Sequence, residues 1–229
     1  MAVSAMLQRE EEEMGKTIPT LIMSLLFFLA FPLSQAEALK LVTYDYEGQT
    51  RIGAVVDDSV IDLNSAYVAL LQQRGDPRPR AMANAIVPPD MREFLAGEER
   101  SLKAAAEAVA FARKGLAEAM RAAGILRDLK AVKLRAPIPR PPKITLMGFN
   151  YRAHAEEMLE KVPETPMLFS AYPSAVNGPG GTVVIPKTAT KPDYELEFGV
   201  VIGKRGKNVP PEKAMDHIAG YVNFNDGTE

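Results

Sequence analysis

The stretch Asp193-Tyr194-Glu195-Leu196-Glu197-Phe198-Gly199-Val200-Val201-Ile202 sets two carboxylates two residues apart in a run of strand-forming residues. Side chains on a strand alternate faces, so Tyr194, Leu196 and Phe198 share one side while Glu195, Glu197, Gly199 and Val201 share the other. Neighbouring carboxylates in a partly buried place repel unless a cation or a shared proton offsets the repulsion. A hard divalent cation does this well. Asp226, closing Tyr221-Val222-Asn223-Phe224-Asn225-Asp226-Gly227, offers a third oxygen ligand. An all-oxygen set favours magnesium, manganese or calcium over zinc or copper. Spacing alone leaves two plainer readings open, an amphipathic strand with a solvated acidic face and an ordinary Asp-Gly turn.

A second cluster is Gly148-Phe149-Asn150-Tyr151-Arg152-Ala153-His154-Ala155-Glu156-Glu157. On a helix, His154 and Glu157 lie on one face, so Glu157 can accept a hydrogen bond from one imidazole nitrogen and fix the tautomer. The other nitrogen is then free to take a proton from water. A lone helical histidine is equally a surface or core residue. The other histidine, His217 beside Asp216, reads as a surface residue of a short helix.

Composition removes other chemistries. With no Cys in 229 residues, disulfides, thiolate nucleophiles and cysteine zinc sites are excluded. A formal charge of -2 gives no basic excess for phosphates, which argues against nucleic acid as a partner. Gly178-Pro179-Gly180-Gly181 lacks the Lys-Ser/Thr sequel of a phosphate loop and reads as a turn. Gly203-Lys204-Arg205-Gly206-Lys207 is a basic loop, too short to imply nucleic acid.

These groups need elements to hold them. Leu39 to Tyr46, Thr50 to Val56 and Val60 to Leu63 read as a meander opening an N-terminal domain over 39–137. Asn64 or Ser65 is expected to cap a helix through Leu71, with Gly75 to Arg80 a loop. Pro88-Pro89-Asp90 starts a helical stretch. Leu102, Ala106, Val109, Leu116 and Met120 predict one helix over Ser101 to Ala123, stopped by Gly124. Pro137-Ile138-Pro139-Arg140-Pro141-Pro142 forces an extended connection and marks a boundary, with a second domain over 138–229. There, Lys143 to Met147, Thr182 to Ile185, Tyr194 to Ile202 and Gly220 to Asn225 read as strands and His154 to Lys161 as a short helix.

Residues 1–38 read separately. Thr17 to Ala36 carries no charge, Lys16 precedes it, and Ser34-Gln35-Ala36 or Ala36-Glu37-Ala38 offers a small-x-small cleavage pattern. A secretory signal peptide and export to the periplasm or envelope are the expectation, an uncleaved membrane anchor the alternative. Glu10 to Glu13 fit a positive leader poorly, whereas a start at Met14 would give Met-Gly-Lys before the apolar run.

The ordered set Gly-x-Asn-Tyr-x-x-His-x-x-Glu, Pro-x-x-Phe, Ser-Ala-x-x-Gly-Pro-Gly, Asp-Tyr-Glu-x-Glu-x-x-x-Val-Ile-Gly and Gly-Tyr-x-x-x-Asn-Asp, from about Ile144 to Asp226, resembles the fumarylacetoacetate hydrolase family. The resemblance implies an α+β chain, a small N-terminal α/β domain followed by an incomplete mainly-β mixed β-sandwich roll. It implies Mg²⁺ or Mn²⁺ on Glu195, Glu197 and Asp226, with Ca²⁺ a further candidate, and a water-activating dyad of His154 and Glu157. It implies a small-molecule 2-oxo acid substrate, a homodimer, and hydrolysis of a carbon–carbon bond in acylpyruvate-like compounds. An isomerase or lyase on 2-hydroxyhepta-2,4-diene-1,7-dioate-type substrates and a non-catalytic metal-binding remnant are the alternatives. Ala171 stands where the family often has lysine, removing one contact. Because the resemblance leads one to expect strands beyond Glu229, this chain is expected to be a C-terminally truncated member with exposed sheet edges and reduced stability or activity.

Overall fold

The computed structural model describes residues 38–228. The apolar leader expected over Thr17 to Ala36 lies outside them. Among the described residues, no helix is long and apolar enough to cross a membrane.

The first strands form where the β-branched runs predicted them: β1 (Leu41–Tyr46), β2 (Gln49–Val56) and β3 (Ser59–Asp62). Helix α1 (Leu63–Gln73) starts earlier than expected, because Asp62 rather than Asn64 or Ser65 caps it, accepting from Ser65 N at 2.8 Å. Asn64 is instead buried and donates to Val87 O at 2.7 Å and Asn84 Oδ1 at 3.1 Å. Pro79 and Arg80, expected in a loop, open α2 (Pro79–Ile86), proline being pre-organised for a first turn that needs no N–H. Asp90 caps α3 (Met91–Ala96) through Arg92 N and Glu93 N.

The single helix predicted over Ser101 to Ala123 is two, α4 (Glu98–Lys114) and α5 (Ala117–Ala122). Gly115 breaks them in an extended conformation, and the Met120 side chain packs over it, where a Cβ would meet Met120 Cε at 2.6 Å. Of the apolar positions expected on this face Val109 is buried and Leu102 partly so, whereas Ala106 and Leu116 are exposed; Ala104, Ala105, Ala108 and Ala112 make up the rest of the buried seam of α4. Alanine lets α4 approach α1 closely. Two short strands, β4 (Leu126–Asp128) and β5 (Lys133–Leu134), complete an antiparallel sheet of order β4-β3-β2-β1-β5. Ile52, Ile61, Leu63, Phe94 and Val87 centre its core.

One charged network is sealed in this sheet. Asp62, fully buried, pairs with Arg51 through Nε and through Nη2 at 2.8 Å, and accepts from Tyr44 Oη at 2.5 Å. Burial pushes the Asp62 carboxyl up, yet the bonds and charge of Arg51, with the Tyr44 and Ser65 donors, hold it below the usual carboxylate range. Burial raises the Tyr44 hydroxyl, and the Asp62 charge adds to that.

After the prolines come β6 (Ile144–Gly148), α6 (Arg152–Glu157), β7 (Met167–Ala171), β8 (Leu196–Ile202) and β9 (Ile218–Asn225). They form two antiparallel ribbons, β6-β7 and β8-β9. Strand β7 was not foreseen. Thr182 to Ile185, expected to be a strand, is irregular and exposed, with Val184 82% accessible. Flanked by Gly180-Gly181 and Pro186, it finds no partner strand among the described residues. The turn at Gly178 packs so tightly on Arg135 and Ala136 that a Cβ would meet Ala136 N at 2.7 Å, tying the C-terminal ribbons' loop to the end of the first sheet.

Candidate functional site

The β8-β9 register builds the acidic face. Leu196 opposes Asn225 and Glu197 opposes Phe224, and Asp226 N donates to Glu195 O at 2.9 Å, so Glu195 and Asp226 face each other across the ribbon. Glu197, two residues along β8, shares their side. All three are half-buried, as are Gly199, Val201, Val222 and Phe224 on the same face. The opposite face is exposed and apolar, with Leu196, Phe198 and Ile202 each more than 60% accessible and Phe198 stacked on Tyr221. The carboxylates therefore sit on the side turned towards protein.

Among the described residues, no group of three or more His, Asp or Glu side chains closes to metal-holding spacing. The backbone brings Glu195, Glu197 and Asp226 to one face without closing their side chains to that spacing. Their donor chemistry, three carboxylates beside an apolar wall, fits a hard divalent cation.

His154 and Glu157 occur in α6 with the predicted spacing, both exposed. No hydrogen bond joins them among the described residues. The imidazole is set from the other side: the Phe149 ring stacks on it at 5.9 Å between centroids, 21° from parallel. Phe149 itself has φ 49°, in the left-handed region that favours glycine. Tyr151 is the N-cap residue of α6, and its hydroxyl accepts the Phe198 N–H at 3.0 Å. One tyrosine thus fastens the start of the histidine helix to the strand carrying Glu197.

Neither Phe149 nor Tyr151 was assigned a role from sequence. The signal lay in their spacing, because a cap residue three before His154 must fix where the imidazole stands. His217 proves structural: its Nδ1 donates to Lys204 O at 3.0 Å, closing the loop between β8 and β9. Asn225 likewise braces the site, accepting from Glu195 N at 3.1 Å.

Residues 143–229 match the description fumarylacetoacetate (FAA) hydrolase C-terminal. The chain is 33% identical over 196 residues to the mitochondrial oxaloacetate tautomerase fahd2 of Xenopus laevis, covering 83% of this chain and 53% of that protein. It is also 33% identical over 195 residues to the oxaloacetate tautomerase YisK of Bacillus subtilis, covering 83% and 60%. Among solved structures, it resembles maleylpyruvate hydrolase of Sphingobium sp. SYK-6, in complex with manganese (II) and pyruvate, at TM-score 0.50 and 26% identity over 82% of this chain and 58% of that one. The fumarylacetoacetate hydrolase of Exiguobacterium antarcticum shares the fold at TM-score 0.52 and 22% identity, over 83% of this chain and 56% of that one. The chain spans little more than half the length of these relatives. With the motif order, the α+β fold and these matches in agreement, residues 143–229 carry a domain of the fumarylacetoacetate hydrolase C-terminal type.

Proposed function

We propose that this sequence is the metal-binding part of a Mg²⁺- or Mn²⁺-dependent enzyme that interconverts the keto and enol forms of a small 2-oxo dicarboxylic acid such as oxaloacetate. The observation that carries this is the half-buried acidic face of Glu195, Glu197 and Asp226 on the ribbon to which Tyr151 ties the His154 helix. These three residues would hold the cation. When bound, it supplies electrostatic stabilisation of the negative charge that develops as the substrate enolises.

The chain's own groups do the rest. His154, held by Phe149 on one side, takes the proton from the enol oxygen and delivers it to the carbon next to the 2-oxo group, the reverse transfer giving the enol from the keto form. Glu157, one turn along the same helix, would fix the imidazole tautomer. Phe224 and Val222 flank the acidic face and keep water from the developing charge.

Carbon–carbon hydrolysis is the second reading, favoured by the likeness to maleylpyruvate hydrolase; there His154 would draw the proton from a water instead. The test gives Mn²⁺-loaded protein the enol of oxaloacetate and, separately, acetylpyruvate. Faster loss of enol absorbance with no new fragment supports tautomerisation. Release of pyruvate and acetate from acetylpyruvate supports hydrolysis. No acceleration of either, with the metal shown to be bound, overturns both.

A further inference from the structure

A cavity of about 420 Å³ opens on the first sheet, well away in sequence from the acidic ribbon, and three guanidiniums line it: Arg51, Arg80 and Arg127. Arg51 is already paired with Asp62. Arg127 has no carboxylate partner among the described residues: its guanidinium lies 3.8 Å above the Tyr46 ring and interacts with the Tyr44 hydroxyl, while its buried Nε has no hydrogen-bond partner among those residues. A buried cationic donor left unmatched is costly, and native structures rarely leave one without a ligand or water to meet it. Stacking on Tyr46 occupies the flat face of the guanidinium and leaves its N–H edge in plane, the arrangement that grips a carboxylate with two parallel bonds. Glu47 is the sole carboxylate among the lining residues, so Glu47 and Asp62 together still leave one guanidinium of the three uncompensated.

We propose that this cavity binds a small organic acid through its carboxylates, at a site separate from the acidic ribbon. Arg127 provides the fork and Arg80 the second cation at the rim, with Ser65 and Gln49 as neutral partners. Val68, Ala69 and Ile125 form an apolar wall that asks for a carbon skeleton rather than a bare inorganic ion. The proposal does not depend on the catalytic reading above.

The experiment titrates the full chain calorimetrically with succinate, with dimethyl succinate and with inorganic phosphate, in chelator so that no cation recruits the acid to the carboxylate face. Succinate should bind, its neutral diester should not, and phosphate should bind more weakly. Arg80→Ala, at an exposed position, and Arg127→Gln should each weaken succinate about tenfold or more, the loss of one charge-assisted contact. Glu197→Gln should leave the titration unchanged. Absence of succinate binding to the wild-type chain overturns the proposal, as does succinate binding untouched by both arginine changes. Phosphate binding more tightly than succinate overturns the assignment to an organic acid. Because metal is excluded and Glu197 is a control, none of these results bears on the tautomerase reading.

Discussion

Replacing Asp62 by Asn tests whether the buried charge network holds the first sheet to α1. The amide can still accept from Ser65 N, since Asn and Asp cap helices about equally well, so the cap contributes little to the difference. What disappears is the negative charge between Arg51 and Tyr44, with Asp62 fully buried and Arg51 only 18% exposed in its side chain. Breaking a buried pair by removing one partner costs about 3–5 kcal/mol, because the remaining cation stays desolvated. At roughly 2–4 °C per kcal/mol for a chain of this size, the melting temperature should fall by about 6–20 °C. Urea denaturation and thermal circular dichroism at pH 7 measure it.

The pH dependence gives the sign. Asp62 is held below its ordinary value in the folded state, so its contribution is full above the unfolded value of about 3.9 and is lost as pH falls through the native value. The gap between wild type and Asp62→Asn should therefore close in acid. Tyr44 acts at the other end: its raised hydroxyl contributes below the unfolded value of about 10, and that part is lost as pH climbs through the higher native value. A change under about 1 kcal/mol at pH 7, or a gap that widens in acid, would refute the reasoning.

Three further changes address the ribbon and its histidine helix. Glu197→Gln should weaken Mn²⁺ binding, followed by the electron spin resonance of free Mn²⁺, by more than the roughly 10–100-fold usual for a supporting residue. His154→Ala should lower turnover of the 2-oxo acid by about 10²–10⁴-fold while Mn²⁺ affinity holds, separating proton transfer from metal capture. Tyr151→Phe removes the acceptor of the Phe198 N–H and should lower kcat with little effect on Mn²⁺ affinity; equal losses in both would mean that the tyrosine merely holds the fold together.

The acidic face was legible because a strand has period two: Glu195 and Glu197 had to share a side wherever the strand lay, and Asp226 followed from the pairing of β8 with β9. The caps at Asp90 and the meander of β1 to β3 were legible for similar local reasons. What escaped was set by distance. Asp62 looked like the end of a strand, and nothing local said that Arg51 and Tyr44 would converge on it. The alanine seam of α4 was overlooked because small side chains carry little hydrophobic signal, yet they govern how near two helices come. Thr182 to Ile185 had strand-forming residues without a neighbour to pair with, and propensity alone cannot supply one. Tyr151 was visible as a letter in a motif, but its bond to Phe198 spans 47 positions of chain.

The left-handed backbone at Phe149 has a consequence for how this region tolerates change. Such a conformation costs a non-glycine residue about 1 kcal/mol or more, held in reserve beside the imidazole. Glycine at this position would release the tension and remove the ring that stacks on His154, so the same exchange that relaxes the loop would loosen the imidazole. Durability and the proposed competence pull against each other at that single residue, and selection for heat resistance alone would tend to erase the aromatic ring on which the proposed proton transfer leans.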